Sequence, residues 1–296
     1  MSVESLRNKA QEYWVANFDD GPYSNLIQAQ YLVGKSGRTW EQILQSPRTL
    51  RTLITADDLS NDSSSTFKHT WAAAAGRCTA FCLRIVRKLQ EYDSPSFDFK
   101  IYDLRGHRVA RCAKTGILID SSSAVGVLVL RDGADWTMLE EEVNHPKWKW
   151  DGSESKFKTD AQGLKTSADA LSFQAAMTQC LTEIRDKFEP LCLFRSFSGG
   201  RAHFHAMIKW VPSSKQLVLL ESLETKVKTT IKFDKDGTTE TEKECIQFVE
   251  QFITSHGGLE GDKQWKFGQP NYRAKDIHET IWTTAKKIWG LPRIVT

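Results

Sequence analysis

The stretch GRCTAFCLRIVRKL, residues 76–89, contains the residues on which the fold and the chemistry of this chain depend. From Trp71 to Gln90 apolar and basic residues alternate at helical spacing, and no glycine or proline interrupts the run from Cys78 to Leu89. The pattern predicts a helix whose first turn carries Cys78. A thiol at a helix N-terminus ionises more readily than a free thiol, so Cys78 is a candidate nucleophile. The alternative is a buried, unreactive cysteine.

A second stretch, HRVARCAKTGILID at residues 107–120, predicts a β-hairpin around a tight turn at residues 114–116. His107 and Asp120 stand on its two strands, and a hairpin can bring both side chains to one face. A thiol nucleophile needs a histidine within hydrogen-bond reach and a third group that orients the imidazole. Cys78, His107 and Asp120 are therefore the candidate catalytic residues.

A second histidine–acid pair competes for the same thiol. His205 and Glu221 fall on the successive predicted strands 203–211 and 216–223, far along the chain from Cys78. The pair closer to Cys78 in sequence, His107 and Asp120, is geometrically more plausible, and His205 with Glu221 stays open as an alternative.

The remaining segments predict a mixture of helices and strands. Helices segregated from strands in the sequence indicate the α+β fold class. The predicted order is helices in 1–60, strands in 97–130, a long polar loop at 144–168, a helix at 171–188, strands in 191–233, and helices at 242–253 and 274–289.

The length of 296 residues is enough for a sizeable core, and we expect a single catalytic domain over 1–296. It comprises a helical N-terminal region at 1–60, the cysteine-bearing helix with the histidine and aspartate strands at 61–135, and a sheet extension with C-terminal helices at 170–296.

Composition and charge exclude several classes of protein. The net charge of +3 is spread along the chain without a dense basic stripe, so no nucleic-acid partner is expected. No run approaches eighteen apolar residues and the N-terminus lacks a signal-peptide layout, so we expect a cytoplasmic protein that does not enter a membrane. The six cysteines are expected to be free thiols. The close pair Cys78 and Cys82 has no second close pair to complete a zinc site, so neither a metal nor a cofactor is expected.

Two further features carry weaker signals. Trp71, seven residues before Cys78, is a candidate wall of the substrate site, although tryptophans more often pack in a core. The glycine-rich turn at residues 198–201 is interpreted as a hairpin connection because it lacks the strand and helix that flank a phosphate loop. The core is the expected place of five other tryptophans, Trp148, Trp150, Trp265, Trp282 and Trp289.

Residues 70–130 resemble the core of transglutaminase-like proteins and arylamine N-acetyltransferases, a branch of the papain-like thiol enzymes. The resemblance rests on Gly76-Arg77-Cys78 at a helix start, His107 opening a strand, and Ile117-Leu118-Ile119-Asp120 on the next strand. It implies a papain-like core in which the cysteine-bearing helix packs on an antiparallel sheet, with extra helices at both ends. The chain departs from the family pattern at Arg108, where an aromatic residue is common.

The resemblance implies a cysteine-dependent acyltransferase that forms or exchanges an amide bond through a thioester. Its partners would be a small-molecule or peptide acyl donor and an amine acceptor. Two alternatives remain open: a papain-like cysteine peptidase or amidohydrolase that uses His205 and Glu221, and a catalytically inactive binding module with the same fold.

Overall fold

The computed structural model describes residues 2–19, 25–62, 78–121, 126–137, 147–159, 166–188, 191–198, 203–211, 216–221 and 228–232. Within these residues the protein consists of helices and antiparallel sheets, which confirms the α+β class. Trp71 and the helices predicted at 242–253 and 274–289 lie outside the described residues.

Seven α-helices and thirteen strands occur in the described residues. The helices are α1 Val3–Asp19, α2 Leu26–Lys35, α3 Trp40–Gln45, α4 Thr49–Leu53, α5 Ala56–Ser60, α6 Cys78–Asp93 and α7 Phe173–Lys187, with a 3-10 turn at Ser94–Ser96. The first nine strands are β1 Phe99–Asp103, β2 Arg108–Cys112, β3 Ile117–Ile119, β4 Val127–Val129, β5 Asp135–Thr137, β6 Lys147–Asp151, β7 Lys156–Thr159, β8 Thr166–Ala168 and β9 Ala170–Leu171. The last four are β10 Leu191–Ser198, β11 His203–Val211, β12 Gln216–Glu221 and β13 Lys228–Lys232.

The strands form three sheets. One has the order β4-β3-β2-β1-β9, the second β5-β6-β7-β8 and the third β10-β11-β12-β13. The predicted hairpin is present: β2 and β3 pair antiparallel, with Ala110 opposite Ile119 and Arg111 opposite Leu118. The predicted strands between 191 and 233 are also present, each within two residues of its expected ends.

The chain forms two compact units. The first contains Met1–Phe18, Arg77–Gln179 and Gly199–His203, and the second contains Asp19–Gly76, Cys180–Ser198 and Phe204–Thr296. The single catalytic domain expected from the sequence stays a prediction.

Strand β2 lies at the centre of the first unit and is buried at all five positions. Helix α6 packs against it on one side. On the other side Val109 joins an apolar cluster that contains Tyr102 of β1 and the aromatic side chains of the second sheet. Arg111 of β2 stacks its guanidinium 3.8 Å from the centre of the Trp150 ring. Because both faces are covered, β2 and its two ends are held in fixed positions.

The prediction of a long loop at 144–168 is wrong. Strands β6, β7 and β8 occupy much of this stretch and form most of the second sheet. In β6 the buried Trp148 and Trp150 alternate with exposed lysines, the two-residue period of a strand with one buried face. The lysines, glycine and serines made the segment look like a loop, whereas the alternating tryptophans decide its structure. The expected core position of Trp148 and Trp150 is confirmed.

The second unit begins with short helices whose starts are capped by side chains. Thr39 and Gln42 form a reciprocal capping box at α3, and Thr55 and Asp58 form another at α5. These caps satisfy backbone N–H groups that a helix start would otherwise leave without an acceptor. No helix in the described part of the chain is long and apolar enough to cross a membrane.

Helix α1 belongs to the first unit and supports the segment after β3. The Trp14 side chain is 1% exposed, and its Nε1 donates a hydrogen bond of 2.9 Å to the carbonyl oxygen of Asp120. Its ring lies directly against Gly126, where a Cβ atom would stand 2.9 Å from the indole. The amphipathic helix predicted at the N-terminus thus fixes the backbone on both sides of Asp120.

The close approach of Trp14 to Gly126 predicts a specific sensitivity to an added methyl group. Gly126 has φ +67°, so Gly126→Ala combines backbone strain with a clash and should destabilise the protein by about 2–4 kcal/mol. Gly37 is a matched control with the same φ of +67° and open space around it. Gly37→Ala should therefore cost only about 1 kcal/mol. Urea unfolding measures both values, and equal losses would contradict the packing of Trp14 on Gly126.

Candidate active site

Cys78 is the first residue of α6 and its side chain is partly exposed. Its carbonyl oxygen accepts a hydrogen bond of 2.7 Å from the hydroxyl of Ser121, which is fully buried and follows Asp120 directly. Cys78 is therefore accessible to solvent, and its backbone is tied to the residue that follows Asp120.

His107 lies in a tight turn between β1 and β2, one residue before the strand that the sequence predicted it to open. Arg105 and Gly106 have φ values of 59° and 84°, which is typical of a two-residue hairpin turn with a left-handed backbone. The backbone of Leu104 and His107 closes the turn with hydrogen bonds of 2.6 and 3.4 Å. The carboxylate of Asp103 accepts a further bond of 2.7 Å from the Gly106 N–H. The turn fixes the direction in which the His107 side chain leaves the backbone.

Asp120 follows the last residue of β3 and is completely buried. Its N–H donates to the carbonyl of Gly126 at 2.8 Å, and its carbonyl accepts from Trp14. Both backbone groups of Asp120 are therefore satisfied, and its backbone is held in place. A buried carboxylate is costly unless it is paired, so its neighbours decide its function.

That partner is the imidazole of His107. Nε2 of His107 lies 2.8 Å from Oδ1 of Asp120, and the histidine side chain is 17% exposed while the aspartate side chain is 0% exposed. The thiol of Cys78 lies against the same imidazole within hydrogen-bond reach. The structure thus brings together three residues that are far apart in sequence.

The surroundings of His107 alter its titration. Burial lowers the pKa of His107, but the charge and the hydrogen bond of Asp120, together with the contact to Cys78, outweigh it. The net result is a pKa well above the ordinary value of 6.5. The ring therefore holds a proton at neutral pH more strongly than a solvated histidine does. A protonated imidazole beside a thiol stabilises a negative charge on the sulfur.

Cys82, one helical turn after Cys78, has the opposite character. It is fully buried, and its thiol contacts the carbonyl of Ile119 at 4.0 Å. Burial, followed by the charges of Cys78 and Asp120, raises the pKa of Cys82 well above the value of a free thiol. Cys82 is therefore expected to stay neutral.

The structure does not describe the side chains of the other candidate site residues. Trp71 and the side chains of His205 and Glu221 lie outside the described part of the structure. The backbone of β11 and β12 pairs Glu221 with Ala206 and not with His205. Among the described residues, no group of three or more His, Cys, Asp or Glu side chains is arranged to hold a metal ion.

Sequence reasoning missed three residues that support the site: Trp14, Ser121 and Asp103. Trp14 and Ser121 act through contacts that a linear pattern does not display, because they reach residues remote in sequence. Asp103 had a local signal, since an aspartate before Leu104, Arg105 and Gly106 is typical of a side-chain-capped turn. That signal would have placed His107 in a turn and not in a strand.

Comparisons with known proteins give a distant similarity to solved structures. No protein-family model and no curated protein matches the sequence. Among solved structures the chain is similar to a variant of an arylamine N-acetyltransferase from Mycobacterium smegmatis, with a TM-score of 0.40 and 12% identity over 93% of this chain and 90% of that chain. At this TM-score the similarity carries no conclusion about fold or activity.

The raised pKa of His107 predicts that the stabilising effect of Asp120 depends on pH. The protonated ring contributes stability that is fully present below the unfolded pKa of about 6.5 and is lost as pH rises through the folded value. Asp120→Asn should therefore lower the free energy of unfolding by about 3 kcal/mol at pH 6 and by less at pH 9. Urea unfolding at both pH values measures the difference.

Asp98→Asn is the matched control, because Asp98 is exposed and its ion pair with Lys100 is 3.7 Å long. It should cost less than about 1 kcal/mol at either pH. A loss for Asp120→Asn that is the same at both pH values, or larger at pH 9, would show that the two side chains do not form a charged pair.

Proposed function

We propose that this protein is a cysteine-dependent acyltransferase that carries an acyl group on Cys78 as a thioester and passes it to an amine. The observation that supports it best is the position of the His107 imidazole, which lies 2.8 Å from the Asp120 carboxylate and also forms a hydrogen bond with the Cys78 thiol. This is the arrangement that nucleophilic catalysis by a thiol requires. The resemblance of residues 70–130 to transglutaminase-like proteins and arylamine N-acetyltransferases points to the same chemistry.

In the first half of the reaction the Cys78 proton passes to His107 and the sulfur attacks the carbonyl carbon of the donor. A carbon–sulfur bond forms and the carbonyl electrons move to oxygen. When the carbonyl re-forms, the bond to the leaving group breaks, and His107 gives its proton to that group. The product of this half is a thioester on Cys78.

In the second half an amine attacks the thioester carbon while His107 accepts the amine proton. The carbon–sulfur bond then breaks and the proton returns to sulfur, which regenerates the thiol and releases an amide. Asp120 keeps the imidazole in one orientation throughout and stabilises its positive charge. We assign the N–H of Cys78 to the oxyanion, since the backbone N–H of the nucleophile often contributes to the stabilisation of that charge.

The proposed donor is a small-molecule or peptide amide, ester or thioester, and the proposed acceptor is an amine. Trp71 is proposed as a wall of the acyl site. The mechanism requires no cofactor, because the nucleophile, the base and the orienting carboxylate all come from the chain. A peptidase or amidohydrolase would form the same thioester but release the acyl group to water.

If Cys78 is an activated thiolate, it should be alkylated faster than the other cysteines. Iodoacetamide at pH 6 should modify Cys78 at least about tenfold faster than Cys180, which is also partly exposed and is therefore the matched control. His107→Ala should lower the rate of Cys78 to that of Cys180, whereas His205→Ala should not change it. Mass spectrometry of digested protein assigns each adduct. If Cys78 and Cys180 react equally slowly, the chain is a binding module and not a thiol enzyme.

If the protein transfers acyl groups through Cys78, the acyl-enzyme intermediate should be detectable by mass spectrometry. After incubation with p-nitrophenyl acetate, the intact mass of the protein should increase by one acetyl group, and Cys78→Ser should abolish rapid formation of this adduct. A primary amine added next should remove the adduct and yield the acetylated amine. Cys180→Ser controls for loss of a thiol elsewhere. If the adduct decays at the same rate with and without the amine, the protein is a hydrolase and the proposed transfer step is wrong.

A further inference from the structure

Thr79 contacts Cys78 and a buried cation at the same time. It follows Cys78 in α6, is 1% exposed, and has its hydroxyl oxygen 4.0 Å from the Cys78 sulfur. The same oxygen accepts a hydrogen bond of 3.3 Å from a terminal nitrogen of Arg108. A hydroxyl has one proton to donate. Because Arg108 can only donate, the Thr79 proton remains available for the sulfur.

Arg108 is held in place by its other contacts. Its side chain is 2% exposed, and its second terminal nitrogen lies 2.8 Å from Oδ2 of Asp103. That nitrogen also lies 3.4 Å from the amide oxygen of Gln179 in α7. The planar guanidinium binds in fixed directions, so these contacts determine how its remaining N–H group meets Thr79. Asp103 is the residue whose other oxygen caps the turn that carries His107.

We propose that Thr79 is a second hydrogen-bond donor to the Cys78 sulfur, with Arg108 as the positioning residue that orients its hydroxyl. The inference rests on the proposed function and adds a second polar contact to the nucleophile. Cys78 is then held between the imidazole of His107 and the hydroxyl of Thr79.

His107 and Thr79 stabilise the Cys78 sulfur in different ways. In the proposed reaction the sulfur is negative before it attacks the donor and again when it leaves the acyl carbon, and His107 exchanges its proton with other groups between these two steps. The Thr79 hydroxyl keeps its contact, since it takes no part in the proton transfer. A hydrogen bond to the charged form of a group favours that form. Thr79 therefore supports the thiolate as nucleophile and as leaving group.

Among the described residues, His107 and Cys82 interact with Cys78, while Asp120 pairs with His107 and Arg108 with Thr79. His107→Ala removes the imidazole and Thr79→Val removes only the hydroxyl, so the two contributions can be separated. If the contact between Arg108 and Thr79 only supported the fold, removal of the Thr79 hydroxyl would leave the reactivity of Cys78 unchanged.

The test is the rate of Cys78 alkylation by iodoacetamide between pH 5 and 9 in the full chain. Thr79→Val should lower the rate at pH 6 by roughly 3- to 10-fold and move the pH profile to higher pH, because the donor to the negative sulfur is lost. Thr79→Ala should do the same, which keeps the test valid if valine does not fit the site. Thr79→Ser, which restores a hydroxyl, should recover most of the rate. Slow labelling of the buried Cys82 confirms that each variant is folded.

Arg108→Lys tests the positioning part of the proposal. It should slow alkylation in the wild-type background and have little further effect in Thr79→Val, since Arg108 acts through the Thr79 hydroxyl. Equal effects in both backgrounds would overturn this assignment. A Thr79→Val profile identical to wild type, or a Thr79→Ser rate as low as that of Thr79→Val, would overturn the second donor while the proposed function stands. The proposed function itself fails if wild-type Cys78 reacts no faster than Cys180.

Discussion

The contact between the His107 imidazole and the buried Asp120 carboxylate is the interaction on which the site depends. A carboxylate with no exposed surface is tolerated only if a partner compensates for its lost hydration, and the imidazole at 2.8 Å provides that compensation. The same pairing raises the pKa of His107 and so places a positive charge beside Cys78. One contact therefore stabilises the fold around Asp120 and favours a negative charge on the Cys78 sulfur.

The scaffold explains how this contact is held. Strand β2 is covered on both faces, so the turn before it and the start of α6 next to it have little freedom. Trp14 and Gly126 fix the backbone around Asp120, and Ser121 joins that backbone to the carbonyl of Cys78. Cys78 and Asp120 are thus tied together by backbone contacts as well as through His107. Such rigid support is what precise catalytic geometry requires.

The sequence predicted those parts of the site that depend on local patterns. Helical spacing predicted a helix that carries Cys78, and the turn at 114–116 placed His107 and Asp120 on neighbouring elements. It failed where a long-range contact decides the structure. The loop predicted at 144–168 contains strands because tryptophans on one face find an aromatic core formed by remote residues. Arg108 stood out in the sequence only as a departure from a family pattern, and its contacts with Thr79 and Asp103 required the fold to bring them together.

The most direct measurement of the central claim is an NMR titration of the His107 ring in isotope-labelled wild-type protein and in Cys78→Ala, with His107→Ala identifying the signal. The account predicts a His107 pKa well above 6.5 in the wild type, and a lower pKa in Cys78→Ala that Asp120 still keeps raised. A His107 that titrates like a solvated histidine, or a pKa that does not respond to loss of the Cys78 thiol, would show that the sulfur, the imidazole and the carboxylate do not act as one unit.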